Sequence, residues 1–133
     1  MLARLIPQLL MLTGIGHTLL GLVLFREPLA AIVNEGFVST IRYGQFDRTT
    51  AFWFLLFGPA CVLLGQLVGH AFKRNDRWTL TLIGRNLLSM GVGGALVMPI
   101  SGFWILIVLA LPVLRAARGI DANPSTALRE SMA

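Results

Sequence analysis

Residues 51–72 read AFWFLLFGPACVLLGQLVGHAF, a stretch that contains no Asp, Glu, Lys or Arg. A helix that crosses the ~30 Å hydrocarbon core of a membrane needs about 20 mostly apolar residues, so the stretch predicts a transmembrane helix. The whole chain agrees with this prediction, since 56% of its 133 residues are hydrophobic, 13% are charged and the mean hydropathy is +0.76. This composition excludes a small soluble domain and a disordered chain, and the single cysteine excludes a disulfide scaffold.

Three more apolar runs have the length of a membrane span: residues 5–25, 78–98 and 102–117. The first run is longer than the ~7–15 apolar residues of a signal peptide and lacks a small-residue cleavage site, so we expect it to be retained as a span. The predicted fold class is all-α, a four-transmembrane-helix bundle. It forms a single membrane domain over residues 1–118, followed by a cytoplasmic tail over residues 119–133.

The basic residues predict the orientation of the spans, because Lys and Arg are in excess in cytoplasmic loops. With the N-terminus inside, seven flank the cytoplasmic ends: Arg4, Lys73, Arg74, Arg77, Arg115, Arg118 and Arg129. Three lie on the other side, namely Arg26, Arg42 and Arg48. The expected protein is therefore multi-pass with both termini in the cytoplasm. The basic residues flank spans instead of forming an aromatic-interleaved patch, so we expect no nucleic-acid partner.

The connection between the first two spans carries an apolar face over residues 28–42. Its members recur at spacings of three and four, which is typical of an amphipathic helix: Leu29, Ile32, Val33, Gly36, Phe37 and Ile41. Such a helix would lie in the outer interface as a simple connection, or fold over the mouth of the bundle as a lid. A break at Asn34-Glu35-Gly36 into two short pieces is a further alternative.

Glycine is frequent within three of the spans, and small residues let membrane helices approach closely. The positions are Gly14 and Gly21 in the first span, Gly58, Gly65 and Gly69 in the second, and Gly84, Gly91, Gly93 and Gly94 in the third. We expect these stripes to face one another within the bundle.

Polar residues within the spans define the candidate site. Counted at ~1.5 Å per residue from the cytoplasmic ends, Gln66, Arg85 and Asn86 lie ~9–14 Å deep, and His17 lies somewhat deeper at ~16–20 Å. No Asp or Glu lies within a span. The predicted ligand-binding residues are accordingly His17, Gln66, Arg85 and Asn86.

Two of these residues have alternative interpretations. Arg85 could orient an anionic ligand, or its long side chain could extend to the cytoplasmic headgroups. His17 could bind a metal, relay protons or ligate haem, or simply be hydrogen-bonded across the bundle.

Several chemistries lack the residues they need. The two histidines, His17 and His70, differ by ~15 Å in depth, which is too far to ligate one haem. No spacing typical of a metal site is present, so we assign no metal, cofactor or catalytic residue. A proton-coupled exporter would need a carboxylate within the membrane, and the spans contain none, so the sequence does not favour an exporter. Catalysis by Cys61 with His17 as base is the remaining enzyme hypothesis, and the sequence on balance disfavours an enzyme.

The function favoured by these residues is binding of a hydrophobic, lipid-like or quinone-like molecule within the bundle. The alternative is an accessory or scaffolding subunit of a larger membrane complex, and an intramembrane enzyme is third. Expected partners are membrane lipids, the hydrophobic ligand, and either further copies of the chain or a larger complex.

Two short motifs carry a family resemblance: Gly14-Ile15-Gly16-His17-Thr18 in the first span and Phe57-Gly58-Pro59 in the second. Together with the amphipathic connection, they resemble small uncharacterised bacterial membrane proteins that are similar in layout to DoxX-like four-helix proteins. The resemblance implies a location in the bacterial inner membrane and brings no activity.

Overall fold

The structure is a computed structural model that describes residues 5–121. Over this range the chain is all-helical, as predicted, with five helices: α1 (Ile6–Leu24), α2 (Arg26–Asn34), α3 (Phe46–Arg74), α4 (Arg77–Val97) and α5 (Phe103–Asp121). All except α2 are long and apolar enough to cross a membrane. Helix α5 extends through Asp121, so residues 119–121 of the predicted tail are helical. The remainder of that tail lies outside the described residues.

The helices divide between two compact units. The first unit is residues 10–63, and the described part of the second is residues 5–9 together with 64–121. Helices α1 and α3 each contribute to both units, whereas α2 belongs to the first and the α4–α5 pair belongs to the second.

In the first unit, α1 and α3 meet backbone to backbone at two glycines. A Cβ atom at Gly14 would collide with the carbonyl oxygen of Gly58, and a Cβ atom at Gly58 would lie 2.8 Å from the carbonyl oxygen of Gly14. One turn along α1, the Thr18 hydroxyl donates to the Gly14 oxygen at 3.0 Å and fills the space over Gly58. Two predicted glycine stripes therefore do face each other here, since only glycine allows this separation.

The connection from α1 to α3 is helical only in its first part. Helix α2 ends at Asn34, and Gly36, Phe37 and Ser39 then adopt positive φ angles of 91°, 69° and 58°, which a helix cannot continue through. The predicted segment 28–42 is thus an amphipathic helix as far as Asn34 and a series of turns beyond it. Ile32 is the buried residue of α2.

In the second unit, α4 and α5 form a tight antiparallel hairpin. Residues 98–102 connect them, and the Trp104 indole N–H donates to the Pro99 oxygen at 2.9 Å across this turn. Glycines of α4 lie against side chains of α5: Gly84 against Val113 and Leu114, Gly91 against Ile107, and Gly94 against the Phe103 ring. Among the described residues the stripe of the third span therefore contacts side chains and not another glycine stripe, contrary to the prediction.

The start of α4 is fixed by an N-cap. The Asp76 carboxylate accepts from the backbone N–H of Thr79 at 3.0 Å and from its hydroxyl at 2.6 Å. This pairing satisfies one of the free N–H groups of the first helical turn. The same hydrogen bonds hold the pKa of Asp76 below its ordinary value.

Candidate functional site

His17 lies in a small aromatic cluster of the first unit. Its imidazole stacks on the Phe54 ring, with centroids 3.9 Å apart and planes inclined by 17°, and contacts the edge of Phe57 at 5.1 Å. Phe25 adds a further tilted ring contact with Phe54 at 5.2 Å. We call these four residues the histidine cluster. The glycine contact between α1 and α3 brings the rings together, because His17 lies three residues after Gly14 on α1.

The Nε2 atom of His17 is buried and has no hydrogen-bond partner among the described residues. A buried polar atom left unpaired costs about 1–3 kcal/mol, and the great majority of such atoms in proteins are paired. Neutral imidazole can donate from one ring nitrogen and accept at the other. The cluster therefore combines apolar ring surfaces with one unused hydrogen-bonding atom.

The other predicted site residues belong to the second unit, and all three are exposed: Gln66 on α3, and Arg85 and Asn86 on α4. The Asn86 amide donates to the Leu82 oxygen one turn earlier, at 2.8 Å. Neither Gln66 nor Arg85 has a hydrogen bond from its side chain to a described residue. That these three act together with His17 stays a prediction.

Cys61, the other half of the enzyme hypothesis, is fully buried on α3. It lies beside the glycine contact, with its Cβ 3.0 Å from the position that a Cβ of residue 14 would take. No hydrogen bond joins its thiol to His17 or to any other residue that the structure describes. Because a nucleophilic thiol needs a base within hydrogen-bond reach, this arrangement offers no support for catalysis by the pair.

A second polar cluster, which the sequence does not indicate, lies in the connection between α2 and α3. The Arg48 guanidinium donates to both carboxylate oxygens of Glu35, at 2.8 and 2.5 Å, and to the Thr40 carbonyl oxygen at 2.7 Å. The Arg48 side chain is only 12% exposed. This hydrogen bonding keeps the pKa of Glu35 below its ordinary value.

A cavity of about 470 Å³ lies beside this ion pair. Its lining is mostly polar and consists of Glu35, Val38, Ser39, Thr40, Arg42 and Gln45. The ion pair could not be predicted from the sequence, because its partners are 13 residues apart and belong to different elements.

The aromatic surface beside His17 could have been predicted from the sequence, since Phe54 and Phe57 are three residues apart and therefore lie on one face of the helix.

Four long apolar helices within residues 5–121 define the class: a multi-pass α-helical membrane protein. Within this class, the chain belongs to a family of unknown function, DUF6463, whose model matches residues 1–119. No curated protein and no solved structure matches the chain. The likeness to DoxX-like proteins stays a prediction.

Proposed function

We propose that this protein binds a hydrophobic small molecule with a polar, hydrogen-bonding end, of the lipid-like or quinone-like class. The observation that carries the proposal is the buried, unpaired Nε2 atom of His17 in the histidine cluster. Within a membrane no bulk water is present to satisfy this atom, so a ligand carbonyl or hydroxyl gains a hydrogen bond that the protein otherwise lacks.

The aromatic rings supply the second half of the recognition. Phe25, Phe54 and Phe57 surround the histidine with apolar, polarisable rings, and aromatic pairs stabilise one another by about 0.5–1.5 kcal/mol beyond the area they bury. A flat conjugated head group suits this surface in shape and in chemistry. Whether Gln66, Arg85 or Asn86 affects retention of this molecule is tested by a single substitution at each.

The test uses the two histidines of the chain as a matched pair. The full-length protein is purified in mild detergent, and bound lipids and quinones are measured by native mass spectrometry and solvent extraction. We expect wild type and His70→Gln to retain a molecule other than bulk lipid, and His17→Gln to lose it. His70 is exposed on α3, so its replacement controls for loss of an imidazole.

Two outcomes would contradict the proposal. Equal retention by both variants would show that His17 is not the polar contact. A stoichiometric protein partner with no small molecule would instead support the accessory-subunit alternative. Protection of the Cys61 thiol from a reactive dye, measured on each variant, separates loss of ligand from loss of fold, because this thiol is buried in the wild type.

We also propose a location in the bacterial inner membrane, with both termini in the cytoplasm. The excess of basic residues on one side of the spans supports this orientation. A C-terminal tag that is accessible only from outside intact cells would overturn it.

A further inference from the structure

The α4–α5 hairpin fixes which residues lie at the same level. Its glycine contacts pair Gly84 with Leu114, Gly91 with Ile107, and Gly94 with Phe103. In this antiparallel register Arg115 lies opposite residue 83, only two residues from Arg85. At ~1.5 Å per residue, the backbones of Arg85 and Arg115 are therefore offset by only ~3 Å along the hairpin axis.

The two arginines also lie on the same side of the hairpin. Arg85 directly follows the contact residue Gly84, and Arg115 directly follows the contact residue Leu114. One residue further along a helix is a rotation of ~100° in a fixed sense. Gly84 and Leu114 face each other, and the two helices run in opposite directions. A step of one residue therefore turns the side chain toward the same side of the hairpin on both helices.

Helical spacing places an apolar strip beside the arginine pair. Val92 lies seven residues from Arg85 on α4, and Trp104, Val108 and Arg115 recur at spacings of four and seven on α5. Val92 follows Gly91, Val108 follows Ile107 and Trp104 follows Phe103, and these side chains are 43%, 66% and 53% exposed. Arg85 and Arg115 are exposed as well. We call these five residues the arginine face. The strip extends from Arg85 toward Val92 over seven residues, or ~10 Å.

The charge on this face is uncompensated within residues 5–121. No ion pair joins Arg85 or Arg115 to any side chain that the structure describes. Arg85 lies eight residues from the start of α4, which is ~12 Å along the helix. It is near the edge of the apolar region, and its long side chain can reach the level of the headgroups. A phosphate at the headgroup level would pair with two such guanidinium groups, which lie at the edge of the apolar region without a carboxylate beside them among the described residues.

We propose that the arginine face binds an anionic phospholipid. Arg85 and Arg115 donate to the phosphate oxygens, as guanidinium groups do in two-pronged recognition of phosphate, and the acyl chains lie along Val92, Val108 and Trp104. The adjoining strip favours a phospholipid over a free anion, because only the lipid also covers exposed apolar surface. This site does not depend on whether His17 binds a ligand.

The experiment measures lipid retention by the full-length protein in mild detergent, with phosphatidylglycerol and phosphatidylcholine offered in equal amounts, by native mass spectrometry. We expect wild type to retain phosphatidylglycerol preferentially. Arg85→Gln and Arg115→Gln should each weaken this binding by about tenfold, the equivalent of one charge-assisted hydrogen bond. Arg26→Gln is the matched control, since Arg26 is an exposed arginine of α2, and it should leave binding unchanged.

Further arms separate the lipid from other anions and from misfolding. Glycerol phosphate or inorganic phosphate at millimolar concentration should not displace the lipid, whereas Val92→Ser should weaken its binding. Displacement by free phosphate would overturn the assignment to a phospholipid. Equal binding of both lipids, or wild-type retention by the Arg85→Gln, Arg115→Gln double variant, would overturn the site. Arg85→Lys keeps the charge and should recover part of the binding. Protection of the Cys61 thiol confirms that each variant is folded.

Discussion

The contact between α1 and α3 makes a sharp prediction about two neighbouring glycines. Gly14 and Gly16 lie two residues apart on the same helix, yet a Cβ atom at Gly14 would collide with the Gly58 carbonyl, whereas one at Gly16 would meet nothing within 4 Å. Gly14→Ala and Gly16→Ala thus add the same methyl group to the same helix. They differ in whether another helix backbone occupies the space.

The expected magnitudes follow from this geometry. Extra methylene groups in a packed interior cost about 1–3 kcal/mol, and the upper end applies at Gly14 because a backbone carbonyl cannot rotate away. Replacing helical glycine by alanine returns about 1 kcal/mol. We therefore expect Gly14→Ala to lower the free energy of unfolding by about 2 kcal/mol and Gly16→Ala to raise it by up to ~1 kcal/mol. At roughly 4 °C per kcal/mol, Gly14→Ala should melt about 8 °C below wild type.

The assay uses Cys61, the single cysteine of the chain, which is buried beside this contact. A thiol-reactive dye added during heating reports when α1 separates from α3. Circular dichroism melting in the same detergent provides a second readout, because Gly14→Ala could alter access to the thiol locally. If Gly14→Ala and Gly16→Ala melt together, the backbone contact does not hold these helices in the way we describe.

Three further predictions concern the hairpin, the connection and the cap. Gly94→Ala should destabilise the protein in detergent melting, because its Cβ would collide with a phenyl ring, whereas the adjacent Gly93→Ala meets open space and should melt at or above the wild-type temperature. Glu35→Gln should expose residues 35–48 to protease. Arg48 lowers the pKa of Glu35 in the folded protein. The stabilisation by this ion pair is therefore present above the ordinary carboxyl pKa and is lost as pH falls through the folded pKa. In acid, wild type should become as sensitive to protease as Glu35→Gln. Protease resistance of Glu35→Gln at neutral pH would contradict this. Asp76→Ala should lower the melting temperature, and Asp76→Asn should lower it less, because the amide keeps one acceptor oxygen but loses the charge and the second acceptor. Since the folded pKa of Asp76 is also lowered, its contribution is present above the ordinary carboxyl pKa and is lost as pH falls through the folded pKa.

The sequence predicted the number and type of the long helices, because membrane-spanning length and apolar composition are local properties of the chain. It predicted their ends less well. The predicted second span began at residue 51, yet α3 begins at Phe46. Hydropathy locates the lipid-facing part of a helix, and the polar residues Asp47–Thr50 remain helical outside that part. The predicted amphipathic helix was too long, because it extended to residue 42 whereas α2 ends at Asn34. Positive φ angles after Asn34 end the helix, although the apolar pattern continues.

Packing was predicted in kind but not in detail. Glycine stripes indicated close contacts, yet nothing in the sequence distinguishes Gly14, which contacts a backbone, from Gly16, which faces open space. That distinction depends on the rotation of two helices about their axes. The candidate site shows the same limit. His17 was identified by its position in a span, whereas its stacking on Phe54 and the Glu35–Arg48 pair depend on residues that are distant in sequence.

The length of α3 has a mechanical consequence for the connection that precedes it. At 29 residues and ~1.5 Å each, α3 is ~44 Å long, ~14 Å more than a hydrocarbon core of ~30 Å. Its first turn carries Arg48, which is bonded to Glu35 and Thr40. Helices longer than the bilayer accommodate a thinner or thicker membrane mainly by tilting. The hydrogen bonds of Arg48 attach residues 35–40 to the first turn of α3, so these residues move with that turn when the helix tilts.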